Sequence, residues 1–179
     1  VGPPGTGKTT TAEALGKIKG TIAIQPLIDA LSSSSVDVRM AAAASLNHVG
    51  KRAVNALLRT ADHPDPVVRR HVMEILGNIG AEEAHEVLLK SLKDSNEGVV
   101  YYAAIALGKI GKPSAITPLV GLLKHPKVDV RCAAVQGLSS IGTPQVVQHL
   151  AKMLQDPDWA TRLTAARGLG QVGSRNCVE

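Results

Sequence analysis

The chain has 179 residues, 44% of them apolar, yet it contains no Phe, one Trp and two Tyr. A core can be built at this length, but Leu, Ile, Val and Ala must fill it, which suits closely spaced helices and excludes a sandwich built on aromatic anchors. The formal charge of +5 is a mild bias toward acidic partners; Asp and Glu are interspersed among Lys and Arg, so it is not the clustered basic face of a nucleic-acid binder. Cys132 and Cys177 have no CxxC spacing, so neither a disulfide framework nor a zinc site is expected, and a reducing, cytoplasmic setting is. No run approaches the roughly 18 apolar residues of a membrane span and no charged-then-apolar leader precedes Val1. The lack of an initiator Met points to a fragment or a processed product.

The first residues read Val1-Gly2-Pro3-Pro4-Gly5-Thr6-Gly7-Lys8-Thr9, and Gly2 through Thr9 satisfy the phosphate-loop pattern GxxxxGKS/T. In such a loop Gly2, Gly5 and Gly7 let backbone N–H groups wrap an anion, Lys8 reaches the outer phosphates of ATP, and Thr9 offers a hydroxyl to Mg²⁺. The stretch resembles the Walker A motif of AAA-type ATPases. Its surroundings depart from that motif: only Val1 stands where a buried strand is needed, and no later apolar run ends in a second metal-positioning carboxylate. Moreover, Ala14-Leu15-Gly16-Lys17-Ile18 repeats Ala106-Leu107-Gly108-Lys109-Ile110. Residues 1–19 are therefore expected to form a P-loop-like stretch and a single helix that serves as a half-repeat.

From residue 20 the pattern is regular. Val49-Gly50, Ile79-Gly80, Ile110-Gly111, Ile141-Gly142 and Val172-Gly173 recur at intervals of 30, 31, 31 and 31 residues, and Arg39, Arg69, Val100, Arg131 and Arg162 precede them at one fixed distance. A fixed period of this length marks stacked supersecondary units. Within each unit two helical patterns flank a break, as in Ala53 to Leu58, then His63-Pro64-Asp65-Pro66, then Val68 to Ile79. The units are 20–50, 51–80, 81–111, 112–142 and 143–173, followed by a tail at 174–179. Helices of about 10 to 14 residues are too short to stand alone in water, so stacking must supply the core. The Ala pairs Ala42-Ala43, Ala103-Ala104, Ala133-Ala134 and Ala165-Ala166 allow second helices to approach closely, and the five repeated glycines are expected as left-handed C-caps. The expected fold is an all-α solenoid of about five helix pairs preceded by a half-repeat helix.

Residues Asp156 to Gly173, of the form Asp-Pro-Asp-x-x-x-Arg-x-x-Ala-Ala-x-x-Leu-Gly-x-x-Gly, resemble HEAT-like repeats of the short kind also found in phycobilisome bilin lyases. The resemblance covers residues 20–173. It implies that Arg39, Arg69, Arg131 and Arg162 bond an Asp in the turn before a second helix and so link repeats. Asp94 and Asp156 occupy that turn position, while Ser33, His63 and His125 depart from it. The rival use of the arginines is a basic ladder for an anionic partner.

His85-Glu86 looks like one of the His-Glu pairs of the HEAT-like di-iron hydroxylases that act on deoxyhypusine, but a single pair on a first helix does not make that site. His48, His63, His71, His125 and His149 are placed at helix ends or polar faces and share no ligand spacing. No metal site and no catalytic residue is assigned. Trp159, near Asp158 and Arg162, loosely resembles a feature of DNA glycosylases built from HEAT-like helices and is expected to pack.

The resemblance also implies that second helices line a concave side. One position after the register Arg stand Met40, Arg70, Tyr101, Cys132 and Leu163; four further on stand Ala44, Glu74, Ile105, Gln136 and Arg167. From this mixed stripe, Met40, Arg70, Glu74, Tyr101, Ile105, Gln136, Leu163 and Arg167 are the candidate contacts, Tyr and Arg being favoured at binding hot spots. The expected function is a non-catalytic scaffold or adaptor that binds another protein or peptide, without specific nucleic-acid or membrane binding and without a cofactor. Alternatives are an ATP/Mg-binding protein that uses Gly2 to Thr9, and a bilin-lyase-like or chaperone subunit. Exposed solenoid ends could also drive self-association.

Overall fold

Helix breakers punctuate the chain at intervals that leave two helices between them. The computed structural model describes residues 22–176, in which the pairs are α1 (Ile24–Ala30) with α2 (Val36–Val49), α3 (Val54–Thr60) with α4 (Pro66–Ile79), α5 (His85–Ser91) with α6 (Glu97–Ile110), α7 (Ile116–Leu122) with α8 (Val128–Ile141), and α9 (Val147–Met153) with α10 (Trp159–Asn176). The result is an all-α solenoid with no strand among the described residues. The half-repeat expected at 1–19 lies outside them.

The first helices are shorter than the sequence pattern predicts. Each of α1, α3, α5, α7 and α9 has seven α-helical residues, and α3, α5, α7 and α9 are each entered through a 3₁₀ turn. In two of these turns, Pro113–Ala115 and Pro144–Val146, the proline occupies the opening position, where its missing N–H has no partner to lose.

Second helices α4, α6 and α8 end as expected, on Gly80, Gly111 and Gly142 with φ of 67°, 77° and 71° in the left-handed region. Two expected caps differ. Gly50 has φ 65° but ψ −138°, because the chain turns there directly into the 3₁₀ stretch Gly50–Ala53. Gly173 is not a cap at all: it lies within α10, which continues to Asn176.

A repeating layer of leucines forms the core. Leu57, Leu88, Leu119 and Leu150 from the first helices are fully buried, one per 31-residue step, against Leu46, Leu76, Leu107 and Leu138 of the second helices. Ala42, Val72, Ala103, Ala134 and Ala165 complete the seam.

Second helices pack row against row, whereas the first helices scarcely touch one another. The second helices thus form one continuous row of the stack, the inner row, and the first helices the other, the outer row. Glycine sets the closest approaches more than the predicted alanine pairs do. A Cβ on Gly108 would stand 2.5 Å from Gly137 Cα, and one on Gly77 would stand 2.6 Å from Ala106 Cβ. Ala104, Ala133 and Ala134 are buried nearby, but Ala166 is exposed.

Gly108→Ala should therefore force α6 and α8 apart and lower unfolding free energy by about 1–3 kcal/mol, the usual range for overpacking. Gly121→Ala, in the open on α7, should leave stability unchanged or raise it by up to about 1 kcal/mol. Urea unfolding of both variants checks the contrast; equal effects would show that helix separation is not set at Gly108.

Candidate functional site

One position in the turn before each second helix performs the same local task in all five pairs. Ser33 Oγ accepts the N–H of Ser35 (3.2 Å), His63 Nδ1 that of Asp65 (3.1 Å), Asp94 Oδ1 that of Asn96 (2.8 Å), His125 Nδ1 that of Lys127 (3.2 Å) and Asp156 Oδ1 that of Asp158 (2.9 Å). Ser33, His63 and His125 thus depart from aspartate in type but not in this role, since a hydroxyl or a neutral imidazole nitrogen can also accept.

Only a carboxylate performs the second task. Arg69 donates through Nε and Nη2 to Asp94 of the next pair (2.8 and 2.9 Å), and Arg131 does the same to Asp156 (2.9 and 2.8 Å). The remaining Nη1 of each register arginine holds its own turn. It reaches the carbonyls of Ser33 and Ser34 from Arg39, His63 and Pro64 from Arg69, His125 and Pro126 from Arg131, and Asp156 and Pro157 from Arg162. The arginine is therefore both a staple within a repeat and, where aspartate follows, a rung to the next. Val100, buried and neutral, precedes the neutral turn of His125, so neither partner of that rung is present. Arg39, which precedes the His63 turn, leaves its Nε buried without a partner. Using every arginine in this way disfavours the anion-binding ladder.

The electrostatics follow this geometry. The Arg69 guanidinium, through its hydrogen bonds, holds the Asp94 carboxyl below the ordinary carboxylate range. For Asp156 burial alone would raise the value, but the Arg131 fork and the Asp158 N–H outweigh it and the net direction is down.

The candidate contacts line grooves along the inner side. Met40, exposed, and Arg70 and Glu74, half-buried, border a groove of about 370 Å³ between α2 and α4. Arg70 and Tyr101 also border the largest of three such grooves, about 700 Å³, which runs past Glu97 and Lys127 to Asp129. Ile105, Gln136 and Arg167 border a third, of about 310 Å³, between α6, α8 and α10. Leu163 is 40% exposed on the same row.

Sequence reasoning missed three residues here. Tyr102 meets Tyr101 edge to face, with centroids 5.1 Å apart and planes at 80°, and it borders both the first and the largest groove. Lys109 stands in the third groove, its Nζ 2.6 Å from Asn78 Oδ1. His71 lies in the first groove, buried, with Nδ1 3.3 Å from Glu74 Oε2, not on a polar face. For Tyr102 and His71 the signal available was the position two after the register residue, which falls on the same helix face as those one and five after it.

His85, at the start of α5, is buried and joins Ser114 Oγ, in the 3₁₀ turn before α7, at 2.7 Å. Among the described residues no group of three or more His, Cys, Asp and Glu could hold a metal ion. Trp159, expected to pack, is 67% exposed. No helix among the described residues is long and apolar enough to cross a membrane. Gly2, Gly5, Gly7, Lys8 and Thr9 lie outside the described residues.

A family profile of HEAT repeats matches residues 54–130 and 121–178. The chain belongs to the HEAT-repeat family. A profile of the PBS lyase HEAT-like repeat matches residues 10–33 of this HEAT-repeat protein, starting directly after Thr9. Among solved structures it is similar to the complex of CpcE and CpcF of phycocyanin lyase from Nostoc sp. PCC7120, at 23% identity and a TM-score of 0.77, over 82% of this chain and 98% of that one. It is also similar to a designed armadillo repeat protein in complex with the peptide (KR)4, at 20% identity and a TM-score of 0.60, over 89% and 86% of the two chains. At these identities the likeness concerns the fold. No curated protein matches the sequence.

The rungs make two outcomes measurable. Asp156→Asn keeps an acceptor for the turn but leaves Arg131 buried without a counter-charge, which should cost about 3–5 kcal/mol; denaturant unfolding reads it. Both aspartates are held below their unfolded value of about 3.9, so their contribution is present above it and is lost as pH falls through the folded values. Unfolding measured from pH 7 down to pH 2 should show this acid loss, and Asp94→Asn/Asp156→Asn should remove that part of it.

Proposed function

We propose that this HEAT-repeat chain is a non-catalytic scaffold or adaptor that binds a protein segment along the inner row of its second helices. The observation that carries this reading is the aromatic pair in the largest groove. The chain has two tyrosines and no Phe, and both tyrosines stand there, half-buried and in contact, beside Arg70, Lys127, Glu97 and Asp129. Rigid aromatic area flanked by donors and acceptors of both signs is the composition of a binding hot spot. Burial, followed by Tyr102 and Asp129, pushes the Tyr101 hydroxyl pKa up, so it stays a neutral donor. The use of repeat stacks by the (KR)4-binding armadillo design and by the CpcE and CpcF complex supports the same mode here.

In this reading the functional units are the repeats 20–50, 51–80, 81–111, 112–142 and 143–173, with 1–19 as a capping half-repeat and 174–179 as a tail. The match of residues 10–33 to a PBS lyase HEAT-like repeat favours that role for the first helix over a nucleotide site. The same match supports a second reading, a bilin-lyase-like or chaperone subunit.

Display of random peptides on the immobilised chain tests the main proposal. Selected peptides should lose at least tenfold in affinity on Tyr101→Ala or Tyr102→Ala and be unchanged by Lys152→Ala on the outer row. Binders indifferent to both tyrosines would overturn it. Visible absorbance retained after incubation with a bilin would establish the second reading, and an Mg-ATP-dependent rise in Tm lost in Lys8→Ala would establish a nucleotide site.

A further inference from the structure

Among the described residues five buried side-chain polar atoms have no hydrogen-bond partner, and three of them gather in one place. Arg39 Nε, Asn47 Oδ1 and Arg70 Nε belong to residues that line the groove of about 370 Å³ between α2 and α4. A buried polar atom left unpaired is costly, so such a cluster marks a site that something else completes.

Arg39 shows what is missing. Arg69 and Arg131, at the same register, give Nε and Nη2 to the two oxygens of an aspartate in the following pair. In Arg39 the Nη1 staple to the carbonyls of Ser33 and Ser34 is intact, but His63 stands at the turn position of that aspartate, and no carboxylate among the described residues pairs with the guanidinium. Arg70 is likewise without an ion pair among them; its polar contact is Nη2 to His71 Nε2, at 3.5 Å. Glu74, the acid of this groove, is engaged by its own helix, with Oε2 3.3 Å from Nδ1 of the buried His71. The groove therefore carries two guanidinium groups and one carboxylate, and the buried donor edge of each guanidinium is vacant.

We propose that this groove takes an acidic side chain, Asp or Glu, of the segment bound along the inner row. Its carboxylate completes Arg39 and Arg70, and a backbone N–H of the same segment donates to Asn47 Oδ1. This inference rests on the inner-row reading. Both Nε atoms are already out of water, so they gain charge-assisted hydrogen bonds without shedding hydration when the segment arrives. Tyr102 borders this groove and also the larger one that holds Tyr101, so one extended segment reaches both. A single vacant fork where a rung is missing is not an anion-binding ladder, since Arg69 and Arg131 are filled.

The first probe is the tripeptide Gly-Glu-Gly, acetylated and amidated so that its side chain is its only charge. It is titrated into the full chain and followed through the arginine Nε–H signals in ¹H–¹⁵N spectra. Saturable shifts of the Arg39 and Arg70 signals are expected, and none with Gly-Gln-Gly. Affinity should fall at least tenfold in Arg70→Gln and in Arg39→Lys, which keeps a charge and a donor for the turn carbonyls, while Tyr101→Ala should leave it unchanged. No shift at tens of millimolar Gly-Glu-Gly, or equal shifts with Gly-Gln-Gly, would overturn the proposal, as would a tenfold gain on Glu13→Gln, which would give the site to an acid of this chain. The segment is tested with peptides selected on the chain, which should carry an Asp or Glu whose change to Asn or Gln costs at least tenfold on the wild type and less than twofold on Arg70→Gln. Peptides that need Tyr101 or Tyr102 but carry no such acid would overturn this inference and leave the inner-row reading standing. Tripeptide shifts together with peptides indifferent to both tyrosines would keep the carboxylate site and overturn the inner-row reading.

Discussion

The rest of the structure depends on the distance between neighbouring second helices. Gly77 opposite Ala106 and Gly108 opposite Gly137 let backbones approach to where a single added methyl would collide. With that closeness go the burial of Leu76, Leu107 and Leu138 behind the seam and the spacing of the inner grooves. Dispersion between packed helices falls off steeply with separation, so small residues at these points stabilise the stack more than larger apolar ones could. A chain almost without aromatics is suited to such packing, because Leu and Ala fill a thin interior that a Phe would wedge open.

The arginines add direction to this packing. Hydrophobic stacking alone would tolerate sliding of one pair on the next, whereas a bidentate fork from Arg69 to Asp94 or from Arg131 to Asp156 accepts one register. The rungs alternate with neutral steps at Val100 and His125, so charged and apolar interfaces alternate along the stack. Each buried pair is a weak source of net stability but a strong penalty on its own disruption, which is how such contacts specify geometry.

The inner row exposes side chains that the core does not need, and at its middle it places the only two tyrosines of the chain together. Side chains of both charges, Arg70, Lys127, Glu97 and Asp129, stand beside that pair in the groove.

The repeat, its period and the succession of helix pairs were legible in the residues alone. Periodicity and breakers such as Pro64, Pro66, Gly80 and Gly111 act through local backbone geometry, which neighbouring residues suffice to specify. The sequence also marked Arg69, Asp94, Arg131 and Asp156 as a set. It could not show that His63 and His125 do the local work of an aspartate, because ring nitrogen and carboxylate are alike only as acceptors in a given turn. Gly173 carries the same repeat signal as Gly142 yet stays helical, since a cap depends on how the following chain leaves the helix. Nor could it tell Tyr102 and His71 from their neighbours on the helix. Which of several adjacent residues meets a groove depends on the rotation of one helix against the next, and that rotation is set by contacts between helices, such as Gly77 on Ala106 and Gly108 on Gly137, that lie far apart in the sequence.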